Sequence, residues 1–129
     1  MKQYLSPELS RTFKEKTADV QNVINSALCI LDCFGIPLNA TPRRLERMAM
    51  AFLASGDIKR AADFGHAKDL NSNYSVKTRD IISFVNLHFN EKISSGSYDD
   101  IRRKDLKLLV LAGIVLQSNP NSATNDSTR

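Results

Sequence analysis

The chain has 129 residues, 42% of them apolar, with 18 Lys and Arg against 14 Asp and Glu for a formal net charge of +4. One domain with an ordinary core is expected, basic enough to suit a polyanion partner without requiring one. No run nears the roughly 18 apolar residues of a membrane span. The start, MKQYLSPELSRTFKEK, lacks the apolar segment of a secretory signal, and two cysteines four apart make no disulfide framework. The sequence therefore reads as cytoplasmic.

Residues 1–16 are mixed and charged and are expected to form an N-terminal extension, where Pro7 can open a short helix. Residues 17–129 are expected to be the folded domain. Val20, Ile24, Ala27, Leu31 and Phe34 keep helical spacing, and Gly35 and Pro37 end the pattern, which predicts a helix over 17–34. Its other face holds Asn22, Ser26, Cys29 and Cys33, all uncharged. A free helix face normally carries Lys and Glu, so a second contact is expected there, with another helix, a missing partner or a second copy of the chain in a homodimer. Cys29 and Cys33 have no second cysteine pair, and both histidines are distant in sequence, so no metal site is expected.

Thr41 and Pro42 have the chemistry of an N-cap and a first helical residue, opening a helix over 42–54. Leu45, Met48, Ala49, Phe52 and Leu53 give its core stripe. Arg43, Arg44 and Arg47 give an outer face, with Glu46 as local counter-charge. A solvated surface is the simpler reading of this cluster and phosphate contact the other. A short helix is expected over 58–64. Asp63, His66 and Asp69 are three apart, but Gly65 interrupts any shared turn, and loop polarity explains them. Ile81, Ile82, Val85 and Phe89 predict a helix over 78–89. His88 lies beside that stripe, where a lone histidine is a core residue rather than a base.

The strongest functional signal follows. Ser97 with Asp100 resembles a capping box, and Asp99 and Asp100 suit the positive end of a helix dipole. A helix is expected near 98–112. At about 100° per residue, Ile101, Leu108, Leu109 and Ala112 share one face, while Arg103, Lys104 and Lys107 share the opposite one. Asp105 falls on the apolar side, and Arg102, three residues earlier, is its expected partner. A rod buried at its end and basic at its front is built like a major-groove recognition helix. Gly113 is followed by a strand over 114–117 and by an Asn-, Ser- and Thr-rich stretch to Arg129. The expected fold is mainly α: a winged helix-turn-helix domain with a short β wing, preceded by additional N-terminal helices. The connection from Asn90 to Gly96 is longer than a tight helix-turn-helix allows, which a winged helix tolerates. The wing's return strand is expected to be missing, as if the chain were a piece of a longer protein. No paired carboxylates with a lysine on a strand, Gly-rich phosphate loop or nucleophile in a recognisable context is present, so no catalytic residue and no cofactor is assigned.

These residues carry a family resemblance. The segment from Lys92 to Val115 resembles the N-terminal helix-turn-helix domain of BsuBI/PstI-type restriction endonucleases. Asp99-Asp100-Ile101-Arg102-Arg103 stands where that family has Glu-Thr-Phe-Arg-Arg, and Ala112-Gly113-Ile114 where it has Ala-Gly-Leu. Leu45-Glu46-Arg47 is similar to its Asn-Glu-Arg. Ala27 to Leu31 with Gly35-Ile36-Pro37 is similar to its opening helix, and Asn125-Asp126-Ser127 to its Asn-rich wing. The chain departs from the pattern with Gly96-Ser97-Tyr98 in the Asn-Thr-Arg place and with no tryptophan. The resemblance implies double-stranded DNA as partner, a C-terminal nuclease domain outside this chain that uses magnesium, and a cognate DNA methyltransferase for the whole system.

Arg103 is expected at a base edge and Lys104 and Lys107 at phosphate, with Ser97 and Tyr98 at the flanking backbone. Asn119, Asn121 and Arg129 complete the expected DNA-binding set. The competing readings are a stand-alone winged-helix transcription regulator and a protein-interaction module whose basic helix meets an acidic surface.

Overall fold

A computed structural model of the protein describes residues 4–66, 76–97, 100–107, 109 and 127–128. Its elements are α1 (Arg11–Lys14), α2 (Ala18–Cys33), α3 (Pro42–Ser55), a 3-10 turn (Ala61–His66), β1 (Val76–Lys77), α4 (Thr78–His88), a second 3-10 turn (Ser95–Ser97), a π-helical turn (Ile101–Asp105) and β2 (Ser127–Thr128). The architecture is mainly helical, and among the described residues no helix is long and apolar enough to cross a membrane.

α3 is the central rod. It packs against α2, α4 and the π-turn. That placement follows from its sequence: Leu45, Met48, Ala49, Met50, Ala51, Leu53 and Ala54 are all buried, which leaves the C-terminal half apolar on nearly every side. Its start is fixed by Thr41, whose Oγ1 accepts the Arg44 N–H at 3.3 Å, with Pro42 at the first helical position. Thr17 caps α2 in the same way through Val20.

Both helices end in the same two-bond motif. At the end of α2, Ile36 N donates to Leu31 O and Gly35 N to Asp32 O, each at 3.0 Å, with Gly35 left-handed at φ 83°. At the end of α3, Ile58 N donates to Leu53 O and Asp57 N to Ala54 O, and here Asp57 is the left-handed residue at φ 59°. The sequence points to Gly56 as the stop, yet the unusual backbone falls one residue later. Aspartate is among the few side chains that tolerate it.

The predicted helices over 17–34, 42–54 and 78–89 are present within a residue or so. The short helix expected over 58–64 lies instead at 61–66 as a 3-10 turn. Asp63 explains the shift, because its Oδ2 accepts the N–H of Lys59 and of Arg60 and opens the turn three residues late. Asp69 lies outside the described residues. His88 packs on the Phe84 ring at 4.7 Å between centroids, and burial lowers its pKa.

The helix expected near 98–112 is a π-turn over its described first part, and residues 108 and 110–112 lie outside the description. So does the strand expected over 114–117, and a β wing built on it is not seen among the described residues. The sequence suggested no return strand. Ser127–Thr128 nevertheless pairs antiparallel with Val76–Lys77, Val76 opposite Thr128 and Lys77 opposite Ser127.

Residues 4–16, which carry no periodicity in the sequence, contribute Leu5 and Phe13 to the common core. Asn25 of α2 holds this arm. Its Oδ1 accepts the Tyr4 and Leu5 N–H groups at 2.9 and 2.8 Å, and its Nδ2 donates to Leu5 O at 3.1 Å. The uncharged face of α2 is partly open: Asn22 and Cys33 are exposed, Ser26 and Cys29 half-buried, and both cysteines are free. Asn25→Leu strands the Tyr4 and Leu5 backbone groups and should lower unfolding free energy by about 1–3 kcal/mol. Urea unfolding should show the shift, and limited proteolysis should cut first within residues 4–9. An unchanged midpoint would mean that the arm's other contacts hold it without Asn25.

Candidate nucleic-acid interface

The segment that the sequence reads as a helix-turn-helix spans α4, the connection over 89–97 and the π-turn. α4 ends at His88, and Asn90 turns left-handed at φ 56°, so no helix runs through the connection. Asn86 closes the loop from inside α4: its Nδ2 donates to Ile93 O and its Oδ1 accepts the Ile93 N–H, both at 2.9 Å. The chain then enters the Ser95–Ser97 turn, where Ser97 N donates to Ser94 O at 3.0 Å.

The basic segment begins at Asp100. Leu106 N reaches back to Ile101 O at 2.9 Å, the wide bond that defines the π-turn. Ile101, Asp105, Leu106 and Leu109 are buried, while Asp100, Lys104 and Lys107 are exposed. The outward placement of Lys104 and Lys107 is the one their spacing predicts. Lys104 Nζ stands 3.8 Å from Asp100 across the exposed side. Half-buried Ser97 lines an open cleft with Arg43, Arg47, Lys92 and Ser94. The backbone of Arg103 lies in the π-turn, but its side chain falls outside the described residues, as do Tyr98, Asn119, Asn121 and Arg129.

Asp105 has partners that sequence spacing does not reveal. Its Oδ1 accepts from Arg44 Nη1 at 2.8 Å and its Oδ2 from Arg47 Nε at 3.0 Å. The Arg102 side chain, expected to pair with it, lies outside the described residues. Burial raises the Asp105 pKa above the ordinary aspartate value, against the opposing pull of Arg47 and Arg44. Arg47 is turned inward: its side chain is only 20% exposed, and among the described residues its Nη2 is buried with no hydrogen-bond acceptor.

The expectation that Arg43, Arg44 and Arg47 form a solvated face is therefore corrected. Arg43 grips Glu91 with both terminal nitrogens at 2.9 Å and also reaches Glu46 at 2.9 Å. Glu46, read from sequence as a surface counter-charge, has a fully buried side chain. It accepts from Thr12 at 2.6 Å and from Ser10 at 3.1 Å. Lys16, also fully buried, completes the group, with Nζ 2.9 Å from Glu46 and 2.6 Å from Glu91. Two cations face two carboxylates, so the group is neutral overall. It ties the N-terminal arm, α3 and the connection at one point.

Such a group is fragile to single changes. Lys16→Met leaves two buried carboxylates sharing one arginine and should destabilise the fold by about 3–5 kcal/mol. Burial acts to raise the Glu91 carboxyl, but hydrogen bonds from Arg43 and Lys16 outweigh it and hold its pKa below the ordinary value. A depressed folded pKa gives stability that is complete above the unfolded value, about 4.3, and is lost as pH falls through the folded value. Melting temperature should thus decline below about pH 4.5. In Glu91→Gln it should start lower at neutral pH and show a shallower acid limb. Equal acid limbs in the two proteins would assign the acid sensitivity to other carboxylates.

The model of the BsuBI/PstI restriction endonuclease HTH domain family matches residues 21–129, most of the chain. No curated protein and no solved structure matches. The chain belongs to the BsuBI/PstI restriction endonuclease HTH domain family.

Proposed function

We propose that this chain is the double-stranded-DNA recognition domain of a type II site-specific deoxyribonuclease, acting as a winged helix. The observation that carries the reading is the two-sided basic segment of the helix-turn-helix. One side is buried through Ile101, Leu106 and Leu109 and tied to α3 through Asp105, and the other offers Lys104 and Lys107 to solvent. Family membership supplies the nucleic-acid context. The pairing of β1 with β2 supports the winged form, because it returns the end of the chain to the strand that leads into α4. Asn119, Asn121 and Arg129, which lie outside the described residues, are assigned to DNA contact in this reading.

In this reading the front of the basic segment enters the major groove. Arg103 meets a base edge, where its fork can bridge guanine O6 and N7, while Lys104, Lys107, Ser97 and Tyr98 meet the backbone. Cleavage, with its magnesium, belongs to a nuclease domain outside this chain, and a cognate methyltransferase would protect host DNA. Recognition of a two-fold site would be served by a homodimer. Cytoplasmic residence follows from the substrate.

Binding to randomised and selected duplexes across a salt series tests this. Arg103→Ala should weaken the preferred site by about 1–3 kcal/mol and random duplex far less. Lys107→Ala should weaken both alike and reduce the salt slope by about one. If neither change alters DNA affinity, the basic segment is a solvated face and the reading fails.

A further inference from the structure

Asp105 occupies an unusual place. It lies four residues after Ile101 and four before Leu109, and all three are buried. A leucine at this position could slide along an apolar groove with little change in energy. A carboxylate fits only where cations meet it. Arg44 and Arg47 each take one of its oxygens, at 2.8 and 3.0 Å, from adjacent turns of α3. Two contacts to two separate oxygens fix the segment's rotation as well as its position. The π-turn closes at the same residue, and its wider bond shifts the angular phase of residues before it relative to those after it. Buried ion pairs add little net stability, but they can specify register, since a rotated arrangement would strand a buried charge.

We propose that Asp105, held by Arg44 and Arg47, is the positioning residue that sets the rotation of the basic segment, and that discrimination between DNA sequences depends on this grip. The inference rests on the DNA-binding reading above. Base readout needs side chains placed to within about 0.5 Å and 10–20°, whereas attraction to phosphate tolerates a shift of that size. Loosening the grip should thus erase sequence preference before it erases binding.

The test uses the full chain and a duplex selected by the wild-type protein from a randomised pool. The triple variant Asp105→Leu, Arg44→Met, Arg47→Met replaces the ion triad with apolar side chains and strands no charge. It is expected to melt cooperatively and to bind random duplex within a few-fold of wild type, allowing for its lost cations. The ratio of selected to random affinity is expected to fall by about tenfold or more. Arg44→Lys keeps a cation on the carboxylate and should retain the ratio within about threefold. A folded triple variant with the wild-type ratio overturns the proposal. If the triple variant does not fold, Arg44→Met alone, which leaves Arg47 in place, decides by the same ratio: a loss supports the proposal and no change overturns it. Wild-type protein that binds no duplex ends the DNA reading and this inference with it. A wild-type preference that the variants keep ends this inference alone.

Discussion

Carboxylates of the helix-turn-helix are held by arginines of α3. Glu91 lies at the start of the connection and Asp105 at the end of the π-turn, so the two bracket the segment between them. Arg43 holds the first, and Arg44 and Arg47 hold the second. Neither end can shift on α3 without exposing a buried carboxylate to an apolar wall, which is far more costly than the loss of a few methylene contacts. Apolar packing of Ile101, Leu106 and Leu109 supplies adhesion, and the charges supply the register. The arm joins the same device through Lys16, which is why residues ahead of the family match at residue 21 still bear on the geometry of the turn.

Much of the fold was legible because spacing and caps are local signals. Val20 through Leu31, Leu45 through Leu53 and Ile81 through Phe89 each repeat on one face, although Phe34, read as the end of the first stripe, is exposed past the helix end; Thr17 and Thr41 cap as their chemistry dictates. The charged interior was not legible. A helical projection sorts residues by polarity, and Arg43, Arg44 and Arg47 look like surface because their partners lie far away in sequence: Asp105 is 61 residues from Arg44 and 58 from Arg47. One signal was present. Asp105 projects onto the apolar side of its own helix, which demands a cation. The sequence offers Arg102, three residues away, and an i,i+3 pair is worth only a few tenths of a kcal/mol. A fully buried carboxylate needs more than that. A cluster of three arginines on an otherwise small and apolar helix, with one local acid, was the other half of the signal.

Lys16 was beyond reach for a different reason. It sits in a stretch without periodicity, and lysine is almost never buried unless it is paired. Only the convergence of Glu46 and Glu91 from two other elements makes the site, and no window of sequence contains all three. Asn25 is similar: it lies within the apolar stripe of α2, but its partners are backbone groups of the arm, which carry no side-chain signature.

The inward charges also sharpen the meaning of the net charge. Lys16, Arg43, Arg44 and Arg47 answer Glu46, Glu91 and Asp105 inside the molecule or at its edge, so most of the formal surplus of +4 resides elsewhere. The arginines that read from sequence as a solvated face are committed to the scaffold, and Lys104 and Lys107 stand exposed. Among the described residues of this segment, the cations open to a polyanion are thus lysines, groups that act as point charges and tolerate small misplacement. Finer discrimination would have to come from a planar donor set held at a fixed angle, which the proposal above assigns to the grip of the α3 arginines on Asp105. Under that proposal the basic segment would carry the contact and α3 the orientation. Substitutions in α3 can then alter recognition without any α3 side chain touching DNA.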